Sequence, residues 1–198
     1  MSRIFCPILL LATLPLLVHA VDAAAQASPL IVEFRGGAAV PAFSFSDGDR
    51  PAEGVGVGPS FGVELALARG PRKSLTVGFS QHRFACEELG CGSSEDFVAT
   101  GMNVGMRVNL RTNGEVIPWV RLGGRSVRVE LPERDGTPAG TSDLGYGGEV
   151  GAGVYIGTFG AVGFDPGIRF TATNTELPSG DLLRLRHWVA DLALVLAF

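Results

Sequence analysis

Trp188-Val-Ala-Asp-Leu-Ala-Leu-Val-Leu-Ala-Phe198 ends the chain with large apolar side chains at every second position. Successive side chains of a strand point to opposite faces. Trp188, Ala190, Leu192, Leu194, Leu196 and Phe198 therefore share one face, and Val189, Asp191, Ala193, Val195 and Ala197 share the other. The first face is fit for hydrocarbon. At ~3.3 Å per residue and a ~40° tilt, Trp188 and Phe198 stand roughly 25 Å apart, the height of an apolar band between two aromatic girdles.

Working outward from this segment, the mature region reads as eight alternating runs. They cover approximately Leu30 to Phe45, Val57 to Arg69, Ser74 to Ala85, Asp96 to Arg111, Val116 to Val129, Leu144 to Gly157, Ala161 to Thr175 and Arg184 to Phe198. Three connections are short: Gly70-Pro-Arg-Lys73, Thr112-Asn-Gly-Glu115 and Thr158-Phe-Gly160. Asn113-Gly114 predicts a two-residue type I′ turn, since both residues tolerate positive φ. The other four connections are longer and polar, and include Asp47-Gly-Asp-Arg50, the segment around Cys86 and Cys91, Leu131-Pro-Glu-Arg-Asp-Gly136 and Leu177-Pro-Ser-Gly-Asp181. Short turns at one end and long loops at the other predict a closed, eight-stranded, antiparallel up-and-down transmembrane β-barrel, an all-β fold with both termini on the short-turn side.

The two faces of each run differ in chemistry. Val57, Pro59, Phe61, Val63, Leu65 and Leu67, then Val98, Met102, Val104, Met106, Val108 and Leu110, then Val150, Ala152, Val154 and Ile156 form rows without charge. The opposite rows carry Glu33, Arg35, Glu64, Arg107, Arg121, Arg125, Glu149, Asp165, Arg169 and Asp191, five acids and five arginines interspersed with glycine. An eight-stranded barrel is only wide enough for side chains to fill, so this set is expected to form an ionic network plugging the lumen. Arginine's planar fork suits bidentate pairing, and Lys73 is the one lysine of the chain. A soluble barrel with the rows exchanged would leave Gly145, Gly147, Gly151 and Gly153, or Val189, Ala193, Val195 and Ala197, facing water. Pro166 lies well inside the seventh run, where a bulge or a shortened strand at Asp165-Pro166-Gly167 is the expected remedy.

Composition agrees with this reading. The 198 residues include 28 glycines, 46% hydrophobic residues and 18% charged ones, and no mature stretch approaches the ~20 apolar residues of a membrane helix. The apolar run Ile4 to Val18 follows Arg3 and leads into alanine-rich sequence, the layout of a secretory signal peptide. Residues 1–27 are assigned to it, with cleavage after Ala25 or Ala27, and residues 28–198 to the barrel. Cys86 and Cys91 are then an exported pair, expected to form a disulfide closing a small loop.

The eight runs, the alternation of turns and loops and the segment Trp188 to Phe198 together resemble the small outer-membrane barrels of the OmpA/OmpX type. The resemblance covers most of the mature chain and rests on pattern, with no motif beyond the C-terminus. It implies an integral, monomeric protein of a Gram-negative outer membrane. Trp188, Leu192, Leu194, Leu196 and Phe198 would then be the signal read by the barrel-assembly machinery. Partners would be outer-membrane lipid and lipopolysaccharide, the latter met by acidic loops through bridging divalent cations. The resemblance also extends to lipid A deacylases and palmitoyltransferases, but neither Ser80-Gln81-His82 nor His187 with Asp191 matches a deacylase's His-x-Ser-Asn pattern. No enzyme activity, cofactor or metal is expected. Nucleic acid is an unsuitable partner, given a net charge of −4 and no basic patch with interleaved aromatics. The expected role is structural or surface-interactive. Two alternatives are a narrow, porin-like pore for small solutes and a soluble periplasmic ligand-binding barrel.

Overall fold

A computed structural model describes residues 30–42, 45–47, 50–52, 55–85, 96–131, 140–159, 161–178, 180 and 182–198. The proposed signal peptide and the Cys86 and Cys91 segment lie outside these residues. Eight long strands make the wall: β1 (Leu30–Pro41), β4 (Gly58–Ala68), β5 (Lys73–Phe84), β6 (Phe97–Asn109), β7 (Val116–Leu131), β9 (Gly145–Phe159), β10 (Val162–Glu176) and β11 (Leu182–Ala197). Each pairs antiparallel with its neighbours, and β1 pairs with both β4 and β11, so the sheet closes. Closure gives every strand two partners, which satisfies the backbone without water. Phe198 N–H donates to the Leu30 carbonyl at 2.9 Å, extending the seam to the last residue.

Three short strands prolong the wall at the long-loop end. The hairpin β2 (Phe45–Asp47) and β3 (Arg50–Ala52) continues from β11, with Leu183 opposite Asp47, and β8 (Gly140–Thr141) pairs with the end of β7. β1 ends at Pro41, short of the Phe45 expected, with Ala42 N–H still donating to the Arg186 carbonyl at 2.8 Å.

The turn at Asn113-Gly114 differs from the two-residue form expected of it. Such a turn would set Arg107 opposite Val120, whereas the ladder sets Arg107 opposite Arg121 and Asn109 opposite Trp119. Opposed residues share a face, and a one-residue slip would turn either Arg107 or Arg121 out of the lumen. The register that keeps both inside leaves a six-residue connection, residues 110–115, in which Gly114 takes a positive φ, +108°. Pro166 also differs from expectation. β10 is neither bulged nor shortened there. Its ladder to β11 runs on through Pro166 opposite Leu192, while on the β9 side pairing passes from Phe164 with Ile156 directly to Gly167 with Gly153. The missing donor thus opens one ladder for two residues, and the register shift lies at Val162 and Gly163.

Burial alternates along most of the long strands. In β11 it does so from Leu182 to Val195 without a break, the odd-numbered side chains buried and the even-numbered ones exposed. The outward rows are apolar and open: Leu192 is 50% exposed, Phe61 56%, Val104 63% and Leu122 65%. A contiguous apolar surface of this extent is foreign to a water-soluble monomer.

Candidate functional site

The inward rows converge on a lumen filled in three layers. Nearest the short turns, β1 contributes Glu33 and Arg35, β6 Arg107, β7 Trp119, β10 Asp165 and β11 Asp191. Arg107 bridges Asp165 and Glu33, the latter at 3.0 Å, and Asp165 accepts the Trp119 Nε1 proton at 2.6 Å. The Arg107 guanidinium also lies 4.7 Å from the Trp119 ring centroid, within cation–π range. Arg35 contacts Glu33 and donates to Asp191 at 3.0 Å, and Asp191 takes a second arginine, Arg169, through Nε at 2.9 Å.

Arg121 lies at the next level, donating to Glu64 at 2.6 Å and approaching Glu149 at 3.1 Å. Arg125 and Arg169 each stand 3.5 Å from the other Glu149 oxygen. All ten ionic residues are buried, none more than 8% exposed, and every one has an ion-pair partner within the set. Five acids and five arginines balance in number, and their contacts offset a desolvation penalty that an isolated charge would carry in low dielectric.

Two features of the lumen, Trp119 and the apolar cluster at its long-loop end, were not read from the sequence. Trp119 has the same parity as Arg121 and Arg125, and that signal alone could have placed it inside. Above the ions, Ser60 Oγ meets His82 Nδ1 at 2.8 Å, and the His82 and His187 rings lie 4.9 Å apart, tilted by 59°. Beyond the histidines, Ala39, Phe84, Ala99, Val127, Val129, Leu183, Leu185 and Val189 form a buried apolar cluster that fills the long-loop end. The Ser60 and His82 pair is buried on all sides, and among the described residues no carboxylate hydrogen-bonds either imidazole. A nucleophile and base need an orienting acid and an approach for substrate. At the opposite end, a vestibule of about 260 Å³ opens between the short turns, lined by Ile31, Glu33, Ser74, Arg107, Asn109 and Tyr155.

Glycine makes the packing possible. A Cβ at Gly153 would lie 2.5 Å from both Trp119 Cζ2 and the Pro166 carbonyl oxygen. Gly153→Val is therefore expected to lower unfolding stability by about 1–3 kcal/mol, the usual cost of overpacking, in urea titrations of the vesicle-inserted protein. A change within error would show that Trp119 does not occupy that space.

Of the proposed assembly-signal residues, Trp188, Leu192, Leu194 and Phe198 are exposed on the outer face and Leu196 is half-buried there. Charge within and hydrocarbon without define the class: a small, closed, antiparallel barrel of inverted polarity.

Its fold is that of the small eight-stranded outer-membrane barrels. Neisserial surface protein A is similar over 85% of this chain and 97% of that one, with a TM-score of 0.63 and 16% identity. OprG from Pseudomonas aeruginosa is similar over 87% and 96%, with a TM-score of 0.60 and 11% identity. The attachment invasion locus protein of Yersinia pestis is similar over 86% and 99%, with a TM-score of 0.51 and 14% identity. No protein-family profile matches the sequence, and no curated sequence is significantly similar to it.

Proposed function

We propose that this chain is an integral outer-membrane barrel without catalytic activity, whose closed lumen makes it a rigid support for its long loops. The observation that carries the reading is the filled cross-section: an ionic network at mid-height, whose ten residues are each paired within it, lies beneath an apolar cluster. Acidic residues such as Asp96, Asp143 and Glu176 lie at the long-loop end, which suits contact with lipopolysaccharide through divalent cations or with another surface. The exposed row from Trp188 to Phe198 suits recognition by the assembly machinery during insertion, and the protein would work as a monomer. A narrow pore is the second reading, and the vestibule at the short-turn end is the feature that favours it.

Conductance of the refolded mature chain in a planar bilayer separates the two. A plugged barrel inserts without current. Discrete steps whose size changes on neutralising Arg121 or Arg125 would replace this reading with that of a channel.

A further inference from the structure

Charge is distributed unevenly along the barrel axis. The lumen is balanced, the long-loop end is acidic, and the short-turn end carries Arg69, Arg72, Lys73 and Arg111 against Glu115. All four cations are exposed, and among the described residues none has an ion-pair partner. They are also neighbours. Arg69 N–H donates to the Lys73 carbonyl at 2.6 Å across the first turn. Asn109 N–H donates to the Arg72 carbonyl at 2.7 Å, joining that turn to the one bearing Arg111.

Their position on the wall matters more than their number. Arg69 continues the outward row of Leu65 and Leu67, and Lys73 continues that of Val77 and Leu75. Arg72 and Arg111 lie in the turns just beyond these rows and are exposed. Cations that end apolar, lipid-facing rows stand where acyl chain gives way to headgroup, and their long stems let the charges reach it.

We propose that this basic rim binds the anionic headgroups of phospholipids in the leaflet on the short-turn side, and so fixes the height of the barrel in the membrane. The inference rests on the membrane reading above. The net negative charge of the phosphatidylglycerol phosphodiester, uncompensated by a headgroup cation, is the chemistry recognised, through forked contacts from the arginines and a point charge from Lys73.

The test is electron spin resonance of spin-labelled lipids around the refolded protein in phosphatidylcholine vesicles. Phosphatidylglycerol should associate in preference to phosphatidylcholine, and the preference should weaken as salt screens the exposed charges. In the variant Arg69→Gln/Arg72→Gln/Lys73→Gln/Arg111→Gln it should fall by about twofold or more. A second variant, Arg69→Lys/Arg72→Lys/Arg111→Lys, keeps the charges and should retain most of it. Undiminished preference in the glutamine variant overturns the proposal. So does unchanged lipid preference together with lost cosedimentation with peptidoglycan, which would make the rim a cell-wall contact. Failure of the unmodified chain to insert, read as absence of a heat-modifiable band on gels, would overturn the membrane reading itself.

Discussion

Asp165→Leu should unfold at markedly lower urea than the unmodified protein in lipid vesicles, with a loss of about 3–5 kcal/mol, the cost of removing one partner from a buried pair. Asp165 is fully buried and joins three groups: it accepts from Trp119 Nε1 at 2.6 Å, binds Arg107 and lies 3.7 Å from Arg35. Without it, two arginines share Glu33 and the indole proton has no acceptor. The companion Arg107→Met/Asp165→Leu removes one charge of each sign and should recover a large part of the loss, since a neutral pair of similar volume avoids the excess buried positive charge. If the single and double variants were equally stable, the ion pair would contribute nothing specific to the lumen.

The second large effect lies on the other face. Leu192 is half exposed on β11, about midway between Trp188 and Phe198. Leu192→Arg should cost roughly 2–4 kcal/mol of folding free energy in vesicles, as charges do near the bilayer midplane of a barrel. Arginine at Leu182, on the same outward row but beyond Trp188, should cost roughly 0–1 kcal/mol, because the penalty fades toward the interface. A soluble barrel would tolerate both. Equal and negligible costs would therefore remove the membrane from the account.

Much of this architecture is legible in one dimension because a strand has period two and a barrel has no free edge. Glu33 and Arg35, Arg121 and Arg125, or Arg169 and Asp165 are each an even number of residues apart on one strand, so a common face follows from alternation. Pairing does not follow from it. That Arg107 meets Asp165 while Arg121 meets Glu64 depends on strand tilt and stagger around a closed wall, which no single segment encodes.

Local and global signals compete at Asn113-Gly114. The dipeptide favours a two-residue turn, but that turn would expel Arg107 or Arg121 into lipid, and the longer connection is the cheaper outcome. The apolar cluster was missed for another reason. Val127, Val129, Leu183 and Leu185 have inward parity, yet the exposed positions between and beside them are Arg128, Glu130, Arg184 and Arg186, so the polarity of the two faces is reversed near these strand ends.

The two tryptophans give the most direct test of the inverted polarity, since Trp119 is 1% exposed within the lumen and Trp188 is 43% exposed on the outer wall. Trp119→Phe and Trp188→Phe leave one fluorophore each, to be read in vesicles of chain-brominated lipid and, separately, with aqueous acrylamide. The account predicts that bromine quenches Trp188 strongly and Trp119 weakly, and that acrylamide reaches neither well. Strong quenching of Trp119 by brominated lipid, with Trp188 open to acrylamide, would mean that the faces are exchanged and would contradict it.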